Sequence, residues 1–212
     1  MRDRRDRLQT ARVYLVCDQQ SDGFLDAVLG AGVDILQLRM KDAADRDIVA
    51  AGRRFARAAA NHDALFILND RPDLVVATGA DGVHLGQDDQ PVAGARGVIG
   101  PERLVGVSTH TPEQVDATAR VPVDYIGVGP VHATPTKPGR PAVGLDLVRY
   151  AAEHAPVPFF AIGGISPGNA AAVRDAGAER IAVVRAITEA SDPAGAARAL
   201  RELVTEVGVG RT

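Results

Sequence analysis

Eight short apolar runs recur along the chain, at residues 13–17, 35–39, 65–68, 82–85, 104–107, 125–128, 159–162 and 181–184. Amphipathic, alanine-rich segments separate them, with helices predicted over 24–31, 45–60, 72–78, 91–98, 112–119, 145–153, 168–175 and 193–206. Runs this short that are apolar on both faces suit strands buried between two layers. Their alternation with helices argues for parallel strands joined by crossover helices. Eight such units predict a closed (β/α)8 TIM barrel, a single α/β domain over residues 11–208. No linker, low-complexity tract or strict repeat divides it. The weakest helix is 91–98, because Gly94, Gly97 and Gly100 lower its helical propensity. Thr111-Pro-Glu-Gln114 and Ser166-Pro-Gly-Asn169 read as helix starts, and Gly32 and Gly177 as helix ends.

The charged opening, residues 1–7, has no apolar core and fits no secretory signal, so roughly the first ten residues are expected to be a flexible tail. No apolar run is long enough to span a bilayer, and a cytoplasmic protein is the default expectation. Against 24 Lys and Arg stand 27 Asp and Glu, a net charge of -3. That balance argues against nucleic acid or a membrane surface as partner. A phosphorylated ligand would therefore have to be held by local cations or a divalent metal. Cys17 is the sole cysteine and lies in an apolar run, where it reads as a small buried side chain. Whether the chain forms a homo-oligomer is left open.

In such a barrel, function sits at the carboxyl ends of the strands. Gln37, Arg39 and Lys41 are spaced by two, which puts them on one face of a strand, with Leu38 and Met40 on the other. Two cations and an amide at the open end of a barrel suit an anion; the other reading pairs Arg39 and Lys41 with barrel carboxylates. Asp70 and Asp89 end neighbouring strands, and hard oxygen ligands there suit Mg²⁺. Asp88 could serve in place of Asp89, and helix capping is the other use of such aspartates. Gly163-Gly164 allows close approach of backbone amides to a phosphate. The loop after Gly129-Pro130 carries Thr134, Pro135, Thr136 and Lys137, two hydroxyls and an ammonium on a proline-stiffened segment. His84 and His110 could act in acid–base chemistry or serve only as hydrogen-bonding side chains. Zinc-ligand spacing, a Walker loop and a Gly-x-Ser-x-Gly elbow are all absent.

Taken together, Gln37-Leu-Arg-Met-Lys41, Leu68-Asn-Asp-Arg71, Gly82-Val-His-Leu-Gly-Gln-Asp-Asp89, Gly127-Val-Gly-Pro130 with Thr134-Pro-Thr-Lys137, Ala161-Ile-Gly-Gly-Ile165 and Ile181-Ala-Val-Val-Arg-Ala-Ile187 resemble the thiamine phosphate synthase family. The pieces run in order through almost the whole chain. The Thr-Pro-Thr-Lys loop and the paired aspartate signatures are the specific ones. The resemblance implies a transferase with two small phosphorylated substrates. It would join an aminopyrimidine methyl diphosphate to a thiazole phosphate and release pyrophosphate, with Mg²⁺ required. By the same resemblance, Gln37, Leu38, Arg39, Met40, Lys41, Asn69, Ser108 and Lys137 bind the pyrimidine diphosphate, and Asp70 and Asp89 hold the metal. Thr134, Pro135, Thr136, Gly164, Val184 and Arg185 bind the thiazole phosphate. Arg39, Lys41, Lys137 and Ser108 are the residues implied to carry the chemistry. Two positions depart from the family pattern: Met40 stands where an acidic residue is frequent, and Arg185 where a serine is. The competing readings are a thiazole-phosphate tautomerase of the same superfamily and a noncatalytic phosphate-binding barrel.

Overall fold

The computed structural model describes residues 3–134 and 141–205. Its strands are β1 (Val13–Cys17), β2 (Ile35–Leu38), β3 (Leu65–Asn69), β4 (Gly82–Leu85), β5 (Leu104–Thr109), β6 (Tyr125–Val128), β7 (Phe159–Ile162) and β8 (Ile181–Val183). They pair in sequence order, all parallel, and β8 pairs back onto β1 to close the barrel. The expected (β/α)8 barrel is the observed fold.

The helices are α1 (Arg4–Thr10), α2 (Asp22–Gly30), α3 (Asp45–Asn61), α4 (Val75–Thr78), α5 (Val92–Ile99), α6 (Pro112–Ala117), α7 (Gly144–His154), α8 (Ala170–Asp175), α9 (Arg185–Thr188) and α10 (Pro193–Thr205). Local signals account for several boundaries. Thr111 accepts the Gln114 N–H at 3.3 Å, and the Gln114 side chain reaches back to the His110 N–H at 2.7 Å, so both sides of the α6 start are capped. Gly32 and Gly177 take φ of 105° and 103° after α2 and α8, as expected. Helix α5 forms in spite of Gly94 and Gly97, because Ala95 and Ile99 bury one side of it. Tertiary packing there overrides propensity.

Two packed layers result. Leu36, Leu38, Phe66, Leu68, Val83, Val105 and Ile126 lie between strands and helices. Ile35, Leu65, Ile67, Leu104, Tyr14, Tyr125 and Phe160 fill the lumen. Alternation along each strand sorts the two sets. Cys17 belongs to the outer layer, and burial pushes its thiol up to about 12, as befits an inert packing group.

Residues 3–10 are ordered where the sequence suggested part of a flexible tail. Asp3 caps α1 by accepting the Arg5 N–H at 2.8 Å, and Leu8 is 1% exposed within the lumen cluster. Arg7 is buried; its guanidinium donates to the Ala64 carbonyl at 2.7 Å and meets Asp81 at 3.3 Å. Arg4 reaches Asp81 at 2.8 Å, Arg5 reaches Asp124 at 2.9 Å, and Asp81 also accepts the Phe66 N–H at 3.0 Å. The charges that suggested a solvated tail find acceptors just ahead of β3, β4 and β6, and α1 seats Leu8 against the amino-terminal end of the barrel. Leu8→Ala should therefore lower unfolding stability by about 2–5 kcal/mol. Urea unfolding with an unchanged slope and a lower midpoint is the expected result; an unmoved midpoint would restore the tail.

Candidate active site

All eight strands contribute to one cavity of about 660 Å³ at their carboxyl ends. Around it lie Gln37, Arg39 and Lys41 from the β2 end, Asn69 and Asp70 from β3, and His84, Asp88 and Asp89 from β4 and its loop. Ser108 and His110 follow from β5, Thr134 from the loop after β6, Gly163 and Gly164 after β7, and Val184 and Arg185 after β8. The volume suits small organic ligands with a few placed polar groups. Pro135, Thr136 and Lys137 lie outside the described residues.

The spacing of two places Gln37, Arg39 and Lys41 around the cavity as expected. Leu38 is buried in the outer layer and Met40 packs against it, and neither lines the cavity. Implied as pyrimidine contacts, these two can meet a ligand only through their backbone. The β2 pleat is the reason: neighbours of lumen-facing residues face the helices. The acidic-to-Met40 departure therefore falls on the helix side. Lys41 lies 3.9 Å from Asp70, a long ion pair at the rim, while Arg39 has no carboxylate partner among the described residues.

Asp70 follows β3 at a φ of 59°, uncommon for a residue with a side chain, and its N–H donates to the His84 carbonyl at 2.9 Å. Burial, then the hydrogen bond and charge of Asp89, push the Asp70 carboxyl up to about 6, against the opposing pull of Lys41. The two carboxylates thus lie close enough to hydrogen-bond and to raise the cost of ionisation. Asp89 is anchored by accepting the Gly86 N–H at 2.6 Å. Asp88 also lines the cavity. Among the described residues, three or more metal-binding side chains nowhere cluster together.

Across the cavity, Gly163 and Gly164 take φ of 106° and 62°. A Cβ on Gly164 would lie 2.7 Å from the Cβ of His132, and one on Gly163 2.5 Å from Pro130 Cα. Asn169 locks this turn, donating to the Gly164 carbonyl and accepting the Ser166 N–H, each at 2.9 Å. The N-cap of α8 is thus Asn169, three residues later than the Ser166 expected from sequence. Arg185 opens α9, a helix absent from the expected set, and lies 3.7 Å from Glu189 one turn on. Four residues are too few to leave a periodic signal.

The floor of the cavity holds what the sequence reading missed. Tyr14 and Tyr125 are buried with their hydroxyls 3.0 Å apart, and the Gln37 amide nitrogen donates to Tyr14. The Tyr125 hydroxyl lies 3.2 Å from His84 Nδ1, and His84 Nε2 lies 3.0 Å from the Ser108 hydroxyl. Of the two roles open to His84, hydrogen bonding is the one on display. His110 Nδ1 bonds the Gly129 carbonyl, holding the end of β6. The available signal was a tyrosine at lumen parity in two otherwise aliphatic runs, since a buried phenol needs a partner.

A family model described as thiamine monophosphate synthase matches residues 13–187. The chain belongs to that family. It is 52% identical to the thiamine-phosphate synthase of Acidothermus cellulolyticus, over 90% of this chain and 93% of that one. To that of Mycobacterium tuberculosis it is 49% identical, over 94% and 97% of the two chains. Among solved structures, the thiamine phosphate pyrophosphorylase of Pyrococcus furiosus superposes with a TM-score of 0.84 at 31% identity, covering 94% of this chain and 96% of that one. A 3-hexulose-6-phosphate synthase, at 24% identity and a TM-score of 0.64, shares the fold.

The family's Gly-Gly turn gives a sharp structural test. Gly164→Ala should cost more than about 1 kcal/mol, because alanine disfavours that φ and meets His132. Gly168→Ala, where the nearest atom is Ser166 Oγ at 3.8 Å, should leave the melting curve in place. Equal melting temperatures for the two variants would contradict this account of the turn.

Proposed function

We propose that this barrel joins an aminopyrimidine methyl diphosphate to a thiazole phosphate, giving thiamine phosphate and pyrophosphate. The observation that carries the proposal is the convergence of Gln37, Arg39, Lys41, Asp70 and Asp89 on one side of a single cavity that Gly164 and Arg185 close on the other. One side offers cations and carboxylates to a diphosphate, the other an amide-lined turn and a guanidinium to a second anion.

The donor set fits Mg²⁺. Two carboxylates pressed together at a cost to ionisation, as at Asp70, are relieved by a dication between them. Two protein oxygens also leave room for the waters and phosphate oxygens that Mg²⁺ favours. Asp70 and Asp89 would hold the ion, which when bound supplies charge neutralisation to the departing diphosphate.

The chain's own residues do the rest. Arg39, Lys41 and Lys137 take up the charge that develops as the carbon–oxygen bond breaks and its electron pair leaves with pyrophosphate. Gln37, Asn69 and Ser108 orient the aminopyrimidine, whose ring and amino group spread the positive charge left on the methylene carbon. Thr134, Pro135, Thr136, Gly164, Val184 and Arg185 hold the thiazole phosphate so that the ring nitrogen's lone pair faces that carbon. That nitrogen has no proton to lose, so the site needs no general base. Charged substrates of this kind do not cross bilayers unaided, which favours a cytoplasmic setting. Among the described residues no helix is long and apolar enough to cross a membrane.

Pyrophosphate release from the two substrates with Mg²⁺ tests the reaction and separates it from tautomerisation or simple binding. Asp70→Ala and Lys137→Ala should each lower turnover at least about 100-fold, with the circular dichroism of the folded chain retained. Near-normal turnover in either variant would count against the assigned roles. Arg185→Ser should raise KM for the thiazole phosphate alone; an unchanged constant would limit Arg185 to a backbone contact.

A further inference from the structure

Three side chains on the cavity floor, Tyr14, His84 and Tyr125, take no part in the reaction set out above. They form one connected line from Gln37 to Ser108: Gln37 to Tyr14, Tyr14 to Tyr125 at 3.0 Å, Tyr125 to His84 at 3.2 Å, His84 to Ser108 at 3.0 Å. The neighbouring strand β5 is shaped to seat one of its rings. A Cβ on Gly106 would lie 2.1 Å from Tyr125 Cζ. Phe160 packs edge-on against both tyrosines, at 5.3 and 5.7 Å between ring centres. Burial pushes both phenols well above their ordinary range, so each stays neutral with one hydrogen to place.

That hydrogen count gives the line a direction. The Gln37 amide nitrogen donates to the Tyr14 oxygen; either tyrosine hydroxyl could donate to the other, and the arrangement that keeps every hydrogen within the line has Tyr14 donating to Tyr125. The Tyr125 hydrogen then goes to His84 Nδ1. A neutral imidazole that accepts at Nδ1 carries its hydrogen on Nε2, and this one meets the Ser108 oxygen. The Ser108 hydrogen is left for a ligand, and so is the Gln37 carbonyl. The two ends thus present a donor and an acceptor to the same cavity. An aminopyrimidine has the matching pair, an amino donor beside ring-nitrogen acceptors.

We propose that Tyr14, Tyr125 and His84 are positioning residues that fix the hydrogen-bond polarity of the pyrimidine site, holding Gln37 as acceptor and Ser108 as donor. The inference deepens the functional reading above and rests on it for the identity of the ligand. Reversed polarity would put the imidazole hydrogen on Nδ1 and offer a Ser108 lone pair instead.

Nitrogen-15 NMR of the full chain, with the His84 signal assigned by its loss in His84→Gln, should show the hydrogen on Nε2. In Tyr125→Phe, which keeps the ring and removes only the hydroxyl, the His84 signal should move toward mixed tautomers. The same variant and Tyr14→Phe should raise KM for the pyrimidine diphosphate about tenfold, a loss of about 1.4 kcal/mol in binding, with KM for the thiazole phosphate unchanged. His84→Gln, whose amide can still donate to Ser108, should keep more affinity for the pyrimidine substrate than His84→Leu. A hydrogen on Nδ1 in the unaltered chain, equal effects on both substrates, or equal losses in the Gln and Leu variants would each overturn the proposal. The imidazole signal is read without substrate. A wrong reaction therefore leaves it in place, while a wrong polarity changes it.

Discussion

Alternation of side chains on a closed ring of parallel strands is the constraint from which the site follows. Every second residue faces the lumen, and successive layers along the strands lie at increasing height above the amino-terminal end. Leu8, Leu65 and Leu104 belong to the apolar filling of the lumen, together with Tyr14, Tyr125 and Phe160. The tyrosine hydroxyls mark the change from apolar to polar, meeting Gln37 and His84. The rim is charged, with Arg39, Lys41, Asp70 and Asp89. A one-residue slip in β2 would exchange Gln37 and Arg39 for Leu36 and Leu38 and remove the site, so the hydrophobic requirement that fixes register also fixes chemistry.

The same layering separates stability from function. Dispersion and burial act in the two apolar layers, where strands are covered on both faces. At the rim the groups stand in arrangements that cost free energy without a ligand. Asp70 has an uncommon backbone conformation and a carboxyl crowded by Asp89. Arg39 has no carboxylate partner among the described residues. Local strain and uncompensated charge persist where the surrounding structure over-determines them, and here a complete barrel does so.

How far the sequence reveals this depends on the range of the interaction. Strand positions, the Thr111 cap, the glycine ends of α2 and α8 and the parity of Gln37, Arg39 and Lys41 are written within a few residues, and each is legible. Arg4, Arg5 and Arg7 look like a solvated run because their partners, Asp81 and Asp124, lie 74 to 119 residues away. The line from Gln37 to Ser108 draws on β1, β2, β4, β5 and β6, and no local pattern announces that five strands place their polar atoms in contact. The family resemblance supplied roles for the ends of that line, Gln37 and Ser108, and was silent on its middle. Helix α9 was missed for the opposite reason: it is local but too short to be periodic.

His84 joins the two halves of the site. Its backbone carbonyl accepts the Asp70 N–H at 2.9 Å, the last bond of the β3–β4 ladder before Asp70 turns away at a φ of 59°. Its side chain connects Tyr125 to Ser108. One residue of β4 therefore sets both the height of a rim carboxylate and the direction of a floor hydroxyl. In the proposed reaction, leaving-group departure and ring orientation must occur in one frame, since a cation formed at the wrong height would be out of reach of the thiazole nitrogen. A rigid strand residue that holds both ends supplies that frame without a moving part, and the packing of Phe160 and the space left at Gly106 keep its partner Tyr125 from shifting.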